Sequence, residues 1–510
     1  MKRTFLWLFG LLMTVQVMAQ NRTITGVVTD ASNGEALIGV SVSGKGTSIG
    51  TVTDFDGVYS LSVPKDVTTL VFSYVGYTSV ERPVTALKMD VKMASEATQI
   101  DEVVVSAYGL NRNKGEISYQ NSKVTSDELN TSGSQGALSA LQGKVAGVKI
   151  SKSGGNVNSS TRVVIRGESS FSGNNNALVV VDGVIVNNSS FSGGDGNGGS
   201  NVDYGNRGND INPDDIESIN VLTGPSATTL YGSAGNGGVL IITTKSGKAA
   251  AAAGKKFKVG YNTSFTVESP YILMQRQNEF GQGLWKNGGG TVDLGENFSW
   301  GPKFDGVVRP WTSPINLNGE TVQLERPYSA IDNQLESFFD LGKTWSNNLS
   351  FEGGNEKFTY YAGFNYVDNK GIVPHSWFKR YGFTVNTTAN LSDKLTMESS
   401  VKYVRTNQRG SVEGSSFSTN SAYFTALQTP AGIPFNEIRD YNNPFHDFNG
   451  YYGSYTVNPY YLLDNTYNLN DADNLMGSIA LKYRPVKGLE ITSRIANNFV
   501  IGNTYESTPV

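Results

Sequence analysis

The architecture of this chain is written most clearly in Phe257-Lys258-Val259-Gly260-Tyr261-Asn262-Thr263-Ser264-Phe265-Thr266-Val267. Phe257, Val259, Tyr261, Phe265 and Val267 alternate with Lys258, Gly260, Asn262, Ser264 and Thr266, the period of a strand with one apolar and one polar face. The pattern returns at residues 358–366, 381–391, 395–403, 475–483 and 489–499, with a weaker copy at 349–351. Spanning strands of a membrane barrel need about 9–11 such residues, apolar outward and polar inward. A soluble sandwich shows the same alternation, so the joins have to separate the two. Gly353-Gly354-Asn355, Ser392-Asp393 and Pro485-Val486-Lys487-Gly488 are tight, whereas the connections across 268–345 and 406–473 are very long. Short and long joins alternate, as short turns on one side of a membrane and long loops on the other require. Residues 255–510 are therefore expected to form a partial transmembrane β-barrel. Roughly seven strands are expected, against about 22 in large plugged barrels, so the barrel is expected to be truncated.

Composition narrows the rest. Lys and Arg number 41 against 45 Asp and Glu, which leaves no basic footprint and speaks against nucleic acid as a partner. Gly at 58, Tyr at 25 and Phe at 24 suit a large β protein with many turns. Without cysteine there are no disulfides and no thiolate metal sites. The two histidines, His375 and His446, belong to no H-E-x-x-H pair, and no nucleophile constellation accompanies them, so no enzyme activity is expected. Gly46-Thr47-Ser48-Ile49-Gly50 matches a nucleophile-elbow pattern but runs into strand rather than helix and is rejected. Residues 1–19 read as a signal peptide: Lys2 and Arg3 form a positive start, Phe5 to Val17 is mostly apolar, and Val17-Met18-Ala19 fits a cleavage site before Gln20. No other stretch approaches the ~18–20 apolar residues of a spanning helix.

Between these ends lie two further bodies. Residues 22–94 alternate short strands (24–28, 40–43, 57–63, 69–74) with turn signals such as Asn33-Gly34 and Asp54-Phe55-Asp56-Gly57, the spacing of a small β-sandwich. Asp54 and Asp56 offer oxygen ligands to calcium, but an Asx turn is the plainer reading without a downstream Glu. Residues 111–247 mix helix and strand. Thr125-Ser126-Asp127-Glu128 is a capping box, and Ala137, Leu138 and Leu141 mark a second helical face. Residues 163–165, 177–181, 184–186 and 239–244 read as strands, with Asp182-Gly183 as a hairpin turn. Asn212-Pro213-Asp214-Asp215 reads as a helix start. The Gly- and Asn-rich residues 192–209 read as a loop. With Asp195, Asp203 and Asp210 it is a second candidate for calcium, without a fixed ligand spacing.

Three resemblances rest on these residues. Gly26-Val27-Val28-Thr29-Asp30, Leu37-Ile38-Gly39-Val40, residues 53–59 and Tyr74-Val75-Gly76-Tyr77 resemble the carboxypeptidase-regulatory-like domain, a transthyretin-like sandwich without catalytic residues. Asp101-Glu102-Val103-Val104-Val105, within a linker over 99–110, is an extended strand able to add to a partner's sheet; placed before a plug-like domain it resembles a TonB box. Leu141-Gln142-Gly143-Lys144-Val145-Ala146-Gly147-Val148, Val164-Ile165-Arg166-Gly167 with Val180-Val181-Asp182-Gly183, and above all residues 212–245 resemble the plug domain of the SusC/RagA family of TonB-linked outer-membrane transporters. Thr223-Gly224-Pro225-Ser226-Ala227 stands where many relatives have Lys-Asp-Ala-Ser-Ala and looks closer to the RagA side, whose members take up oligopeptides.

The resemblance implies a mostly β chain of sandwich, α+β plug and partial barrel. It implies TonB-dependent import of oligosaccharide or oligopeptide nutrients with the box at Asp101–Val105 engaging TonB, and a SusD-like surface lipoprotein as lid. It also implies outer-membrane lipid around the barrel and an N-terminal domain in the periplasm. A siderophore or vitamin receptor is the nearest alternative, and a surface adhesin the next. From strand parity, Glu352, Glu398 and Glu490 are expected to face the barrel interior, and with Arg162 and Arg166 of the plug they form a candidate plug–barrel latch. Tyr451-Tyr452 and Tyr460-Tyr461 in the outer loops suit either stacking on substrate or packing. Substrate-contacting residues are not legible.

Overall fold

The computed structural model describes residues 21–31, 33–94, 103–105, 111–113, 121–129, 136–168, 175–190, 192–193, 202–223, 229, 231–286, 288–411, 421–448, 451 and 457–507. The signal peptide, Asp101, Glu102, Asp195, residues 224–227 and Tyr452 lie outside them. The chain divides into two compact units, residues 1–103 with 113–116, and residues 104–112 with 117–510.

The first unit is a sandwich of β1 (Arg22–Asp30), β2 (Ser41–Gly44), β3 (Gly50–Val52), β4 (Val58–Val63), β5 (Thr69–Ser73), β6 (Val80–Pro83) and β7 (Val91–Met93). One sheet has the order β4-β1-β7 and the other β3-β2-β5-β6. Alternation builds its core: in β4, Tyr59, Leu61 and Val63 are buried while Val58, Ser60 and Ser62 are exposed. Tyr59 meets Phe72 edge-on across the two sheets at 5.4 Å. Asp54 accepts from the backbone N–H of Asp56 and Val58 at 3.0 and 2.8 Å, so its carboxylate closes an Asx turn. Beyond the sandwich, β8 (Val103–Val105) pairs with β9 (Asn111–Asn113).

In the second unit, β10 (Asn121–Thr125) leads into the capping box. Glu128 accepts from the Thr125 backbone N–H at 2.7 Å, and one short helix, Ser126–Leu129, follows. β11 (Val148–Lys152) and β12 (Thr161–Ile165) form a ribbon, and β13 (Leu178–Val181) and β14 (Val184–Val186) a hairpin. The turn of that hairpin needs positive φ at both residues, which Asp182 (49°) and Gly183 (84°) supply. β15 (Ser192–Gly193) and β16 (Val202–Asp203) make a small ribbon. β17 (Ile216–Leu222) and β18 (Val239–Thr244) then complete a mixed sheet of order β10-β17-β18-β13-β14. Asn212-Pro213-Asp214-Asp215 is a capped single 3-10 turn rather than the start of a longer helix, because the β-branched Ile216 enters the central strand at once.

β19 (Lys258–Glu268) opens a large antiparallel sheet. The connection after it carries short ribbons: β20 (Leu284–Lys286) with β21 (Gly289–Thr291), β22 (Val308–Pro310) with β25 (Glu325–Pro327), and β23 (Ile315–Leu317) with β24 (Glu320–Val322). The sheet continues through β26 (Gly342–Gly354), β27 (Phe358–Lys370), β28 (Trp377–Ser392), β29 (Leu395–Arg409), β30 (Tyr467–Val486) and β31 (Leu489–Ser507), each antiparallel to the one before. Its faces are inverted relative to a soluble sandwich. Large apolar side chains such as Val259, Phe265, Phe364, Phe383, Val401, Ile479 and Phe499 are exposed. Asn348, Asn365, Arg380, Thr384, Asn386, Lys402, Gln408 and Asn474 are buried. An apolar outer face and a polar inner face make a membrane barrel wall, which settles the ambiguity left by alternation alone. The outer connections fold onto each other around Trp311, Phe338, Phe435 and Tyr460.

Candidate functional site

The buried polar face of the barrel sheet carries the plug. Strand period two puts Tyr361, Gly363 and Asn365 of β27, Arg380, Thr384 and Asn386 of β28, and Lys402 and Thr406 of β29 on that one face. Plug residues meet them mainly through hydrogen bonds, with an apolar contact where Val157 packs against Val367 and Phe378. Asn212 donates to Asn348 at 3.1 Å, and Asn262 donates to Asp214 at 2.8 Å. Asn386 donates to the Thr244 hydroxyl and the Lys245 carbonyl at 2.8 and 2.7 Å. Arg380, fully buried, donates to the Asn209 carbonyl at 2.7 Å. Asn474 donates to Asp210, which is also paired with Arg207 at 3.3 Å. Met476 of β30 is the barrel residue that joins the plug's apolar core.

Two acids anchor this seat. Asp182, in the β13–β14 turn, accepts from the Thr244 backbone N–H and hydroxyl at 2.9 and 2.6 Å and forms an ion pair with Lys402. Burial pushes its carboxyl upward, but the Lys402 charge and these hydrogen bonds outweigh burial and hold it below the usual carboxylate range. Asp215, buried, accepts from the Tyr361 hydroxyl at 2.6 Å and the Thr384 hydroxyl at 3.0 Å. With hydroxyls rather than a cation against it, burial wins and its carboxyl is pushed up.

The candidate latch is arranged differently from the sequence expectation. Arg162 is exposed and pairs with Glu168 at 2.7 Å, inside the plug. Arg166 is exposed with φ at 60°, its N–H donating to Gly147. Glu352 pairs with Lys258 of the neighbouring strand at 2.5 Å, and Glu490 with Arg484 across a tight turn at 2.7 Å. Glu398 bridges Lys482 of β30 and Lys248 of the short helix after β18, both at 2.8 Å. So Arg162 is not brought to these glutamates; of them Glu398 alone meets a cation from the plug side, Lys248, while the buried plug acids Asp182, Asp210 and Asp215 meet a cation, an amide and hydroxyls of the barrel. The same parity puts Lys402 and Arg380 inward, and a lone cation among Asn, Thr and Gln on such a face is the signal that sequence reasoning passed over. Its partners lie some 170 to 220 residues away along the chain, which no local pattern records.

The remaining candidates are occupied locally. Asp203 accepts from Ser153, from Ser160 and from the Gly205 N–H. Among the described residues no three acidic or histidine side chains gather as a metal site. Tyr451 and Tyr460 are buried in the outer-loop core, and Tyr461 packs against Tyr441 and Phe448.

Residues 24–105 match the family described as CarboxypepD_reg-like domain, and residues 113–239 match the TonB-dependent Receptor Plug Domain. The chain is 30% identical over 404 residues to the TonB-dependent receptor SusC of Bacteroides thetaiotaomicron, covering 78% of this chain and 35% of that protein. The chain is a SusC-like chain of the TonB-dependent receptor type. A second relative, TonB-dependent receptor P26 of Formosa agariphila, is 29% identical over 486 residues, covering 93% of this chain and 42% of its own length. The SusC-like chain therefore spans less than half the length of these curated relatives. Its fold is also that of the RagAB peptide importer in the closed-closed state, with a TM-score of 0.56 and 23% identity over 76% of this chain and 41% of that one.

Proposed function

We propose that this chain supplies the plug and the first wall strands of an outer-membrane importer that takes up oligomeric nutrients, oligopeptide or oligosaccharide, with energy delivered through TonB. The observation that carries the reading is the plug's seat: a folded α/β body held on the polar inner face of a barrel wall by hydrogen bonds. Each such bond is worth only about 0.5–1.5 kcal/mol net, because water replaces the partner when it breaks. A plug seated mainly by such bonds rearranges in small energetic steps, with little apolar surface uncovered at the wall. Asp101–Val105 is the segment that TonB grips, and it stands just before the plug, where a pull along the chain reaches the plug first. The N-terminal sandwich sits on the periplasmic side, and a SusD-like lipoprotein closes the outer loops. The peptide-importer likeness makes peptides the first substrates to test.

Deleting residues 101–105 from the full-length protein tests the coupling. Uptake is expected to stop, with outer-membrane level and substrate binding unchanged; continued uptake would remove the box assignment. Purification from native outer membranes tests the partner. A stoichiometric lipoprotein with bound peptide or glycan is expected, and a lone barrel carrying an iron chelate would replace this reading with a siderophore receptor.

A further inference from the structure

In the ribbon formed by β22 and β25, Arg309 stands directly opposite Arg326. Opposite residues of an antiparallel pair share a face, so both side chains leave the ribbon on the same side. Asp305 accepts from Arg309 through both oxygens, at 2.9 and 2.6 Å, and Arg309 also lies over the Tyr328 ring at 4.7 Å. Arg326 lies over the Trp311 ring at 5.6 Å, and its Nε and Nη1 are buried without a hydrogen-bond partner. Glu437 acts on it through space only, and burial lowers the guanidinium from its ordinary value. Both arginines line a cleft in the outer-loop layer, with Phe304, Trp311, Tyr328 and Ile433 among its walls.

A half-buried cation with two of its three guanidinium nitrogens buried and unpaired is unfavourable unless something else supplies an anion. The planar guanidinium fits a carboxylate through paired hydrogen bonds. The walls choose what carries that carboxylate. Aromatic and aliphatic surfaces favour an apolar body, whereas a sugar acid brings a rim of hydroxyls that these walls leave unsatisfied.

We propose that this cleft binds the terminal carboxylate of a short peptide on Arg326, with the peptide's last, apolar side chain against Trp311 and its aromatic neighbours. This deepens the import reading, on which it rests only for how the peptide arrives. The test is direct binding to the detergent-purified full-length protein, by calorimetry, of three probes: alanyl-leucyl-phenylalanine, its C-terminal amide, and oligogalacturonate. The free acid is expected to bind at least about tenfold tighter than the amide, the discrimination of a hydrogen bond to a charged group. Arg326→Gln is expected to erase that ratio while leaving amide affinity in place, and Trp311→Leu to weaken acid and amide together with the ratio kept. Equal binding of acid and amide by the unaltered protein overturns the proposal without reliance on any variant. So does a ratio that survives Arg326→Gln, or Arg326-dependent binding of oligogalacturonate without the peptide. Uptake is read separately: Arg326-dependent peptide binding in a protein that supports no uptake sinks the import reading and keeps the cleft.

Discussion

Asp182 and Lys402 illustrate what a single ion pair contributes when water is largely excluded from it. Lys402 is 6% exposed, and its ammonium has Asp182 and the Ser400 hydroxyl as partners. Lys402→Met leaves Asp182 without its cation and is expected to destabilise the protein by about 3–5 kcal/mol. Asp182→Asn combined with Lys402→Met is expected to restore much of that loss, read as melting temperature across the four-member cycle. Equal melting of all four proteins would mean the pair contributes nothing. Asp215 responds to pH with its own sign. Its folded pKa is raised above the unfolded value of 3.8, so its contribution is fully present below 3.8 and is lost as pH rises through the folded value. Asp182 is the reverse: its folded pKa is lowered, so its contribution is present above 3.8 and is lost as pH falls through the folded value. Asp215→Asn is therefore expected to gain on the unaltered protein as pH is raised from about 4 to about 8, by differential melting at each pH. A difference independent of pH would show that Asp215 titrates normally. None of this pairing was legible in the sequence. The Asp182-Gly183 turn and the Asp214-Asp215 cap read as local geometry, and their second role exists only once the barrel wall stands beside them.

At the scale of elements, the strands were legible where lipid-facing and interior residues alternate and illegible where they do not. The period of two exposed β27, β28 and the lower halves of β29, β30 and β31, because Phe364, Phe383, Val401, Ile479 and Ile495 all point outward. Towards the outer ends that signal stops while the ladder continues. Outward positions 405, 407, 471 and 473 hold polar residues that pair with each other: Asn407 donates to Asp471 at 2.6 Å, and Arg405 stands 4.0 Å from Asp473. Above an apolar band both faces meet water, so alternation carries no information there. β17 was missed for the opposite reason, since Ile216, Ile219, Val221 and Leu222 are buried on both faces of a central strand. The apolar band makes a prediction. Phe383→Lys on the outer face of β28 is expected to cost about 2–4 kcal/mol in a lipid bilayer. Urea unfolding of the full-length protein in liposomes measures it. An unchanged or raised stability would mean that this face meets water, as in a soluble sandwich.

For the molecule as a whole, the question raised by a polar seat is how much of the plug moves. The contacts to the barrel wall run from Asn158 with Gln408 at 3.2 Å, through Asn212 with Asn348, to the Thr359 hydroxyl donating to the Ser246 carbonyl at 3.1 Å. They differ in strength: the neutral amide contacts are weak, while the contacts of Asp182 and Asp215 involve buried charge. A pull transmitted from the chain before β10 meets β10 at the edge of the plug sheet first, and β17 and β18 behind it. Either that edge peels away with the anchored strands left in place, or the seat releases as one body. The absence of cysteine from the sequence permits a clean test. Asn212→Cys with Asn348→Cys places one thiol on each side of the seat, bridged by a short thiol-reactive linker after the protein is assembled in the outer membrane. Beside this point the two acids hold the seat on β27, β28 and β29, so local peeling is the lower-energy route, and bridged protein is expected to keep most of its uptake. Binding of substrate serves as the control for intact loops. Uptake that falls to background on bridging, with binding kept, would mean that the anchored strands themselves must leave the wall, breaking the Asp182 and Asp215 contacts in every transport cycle.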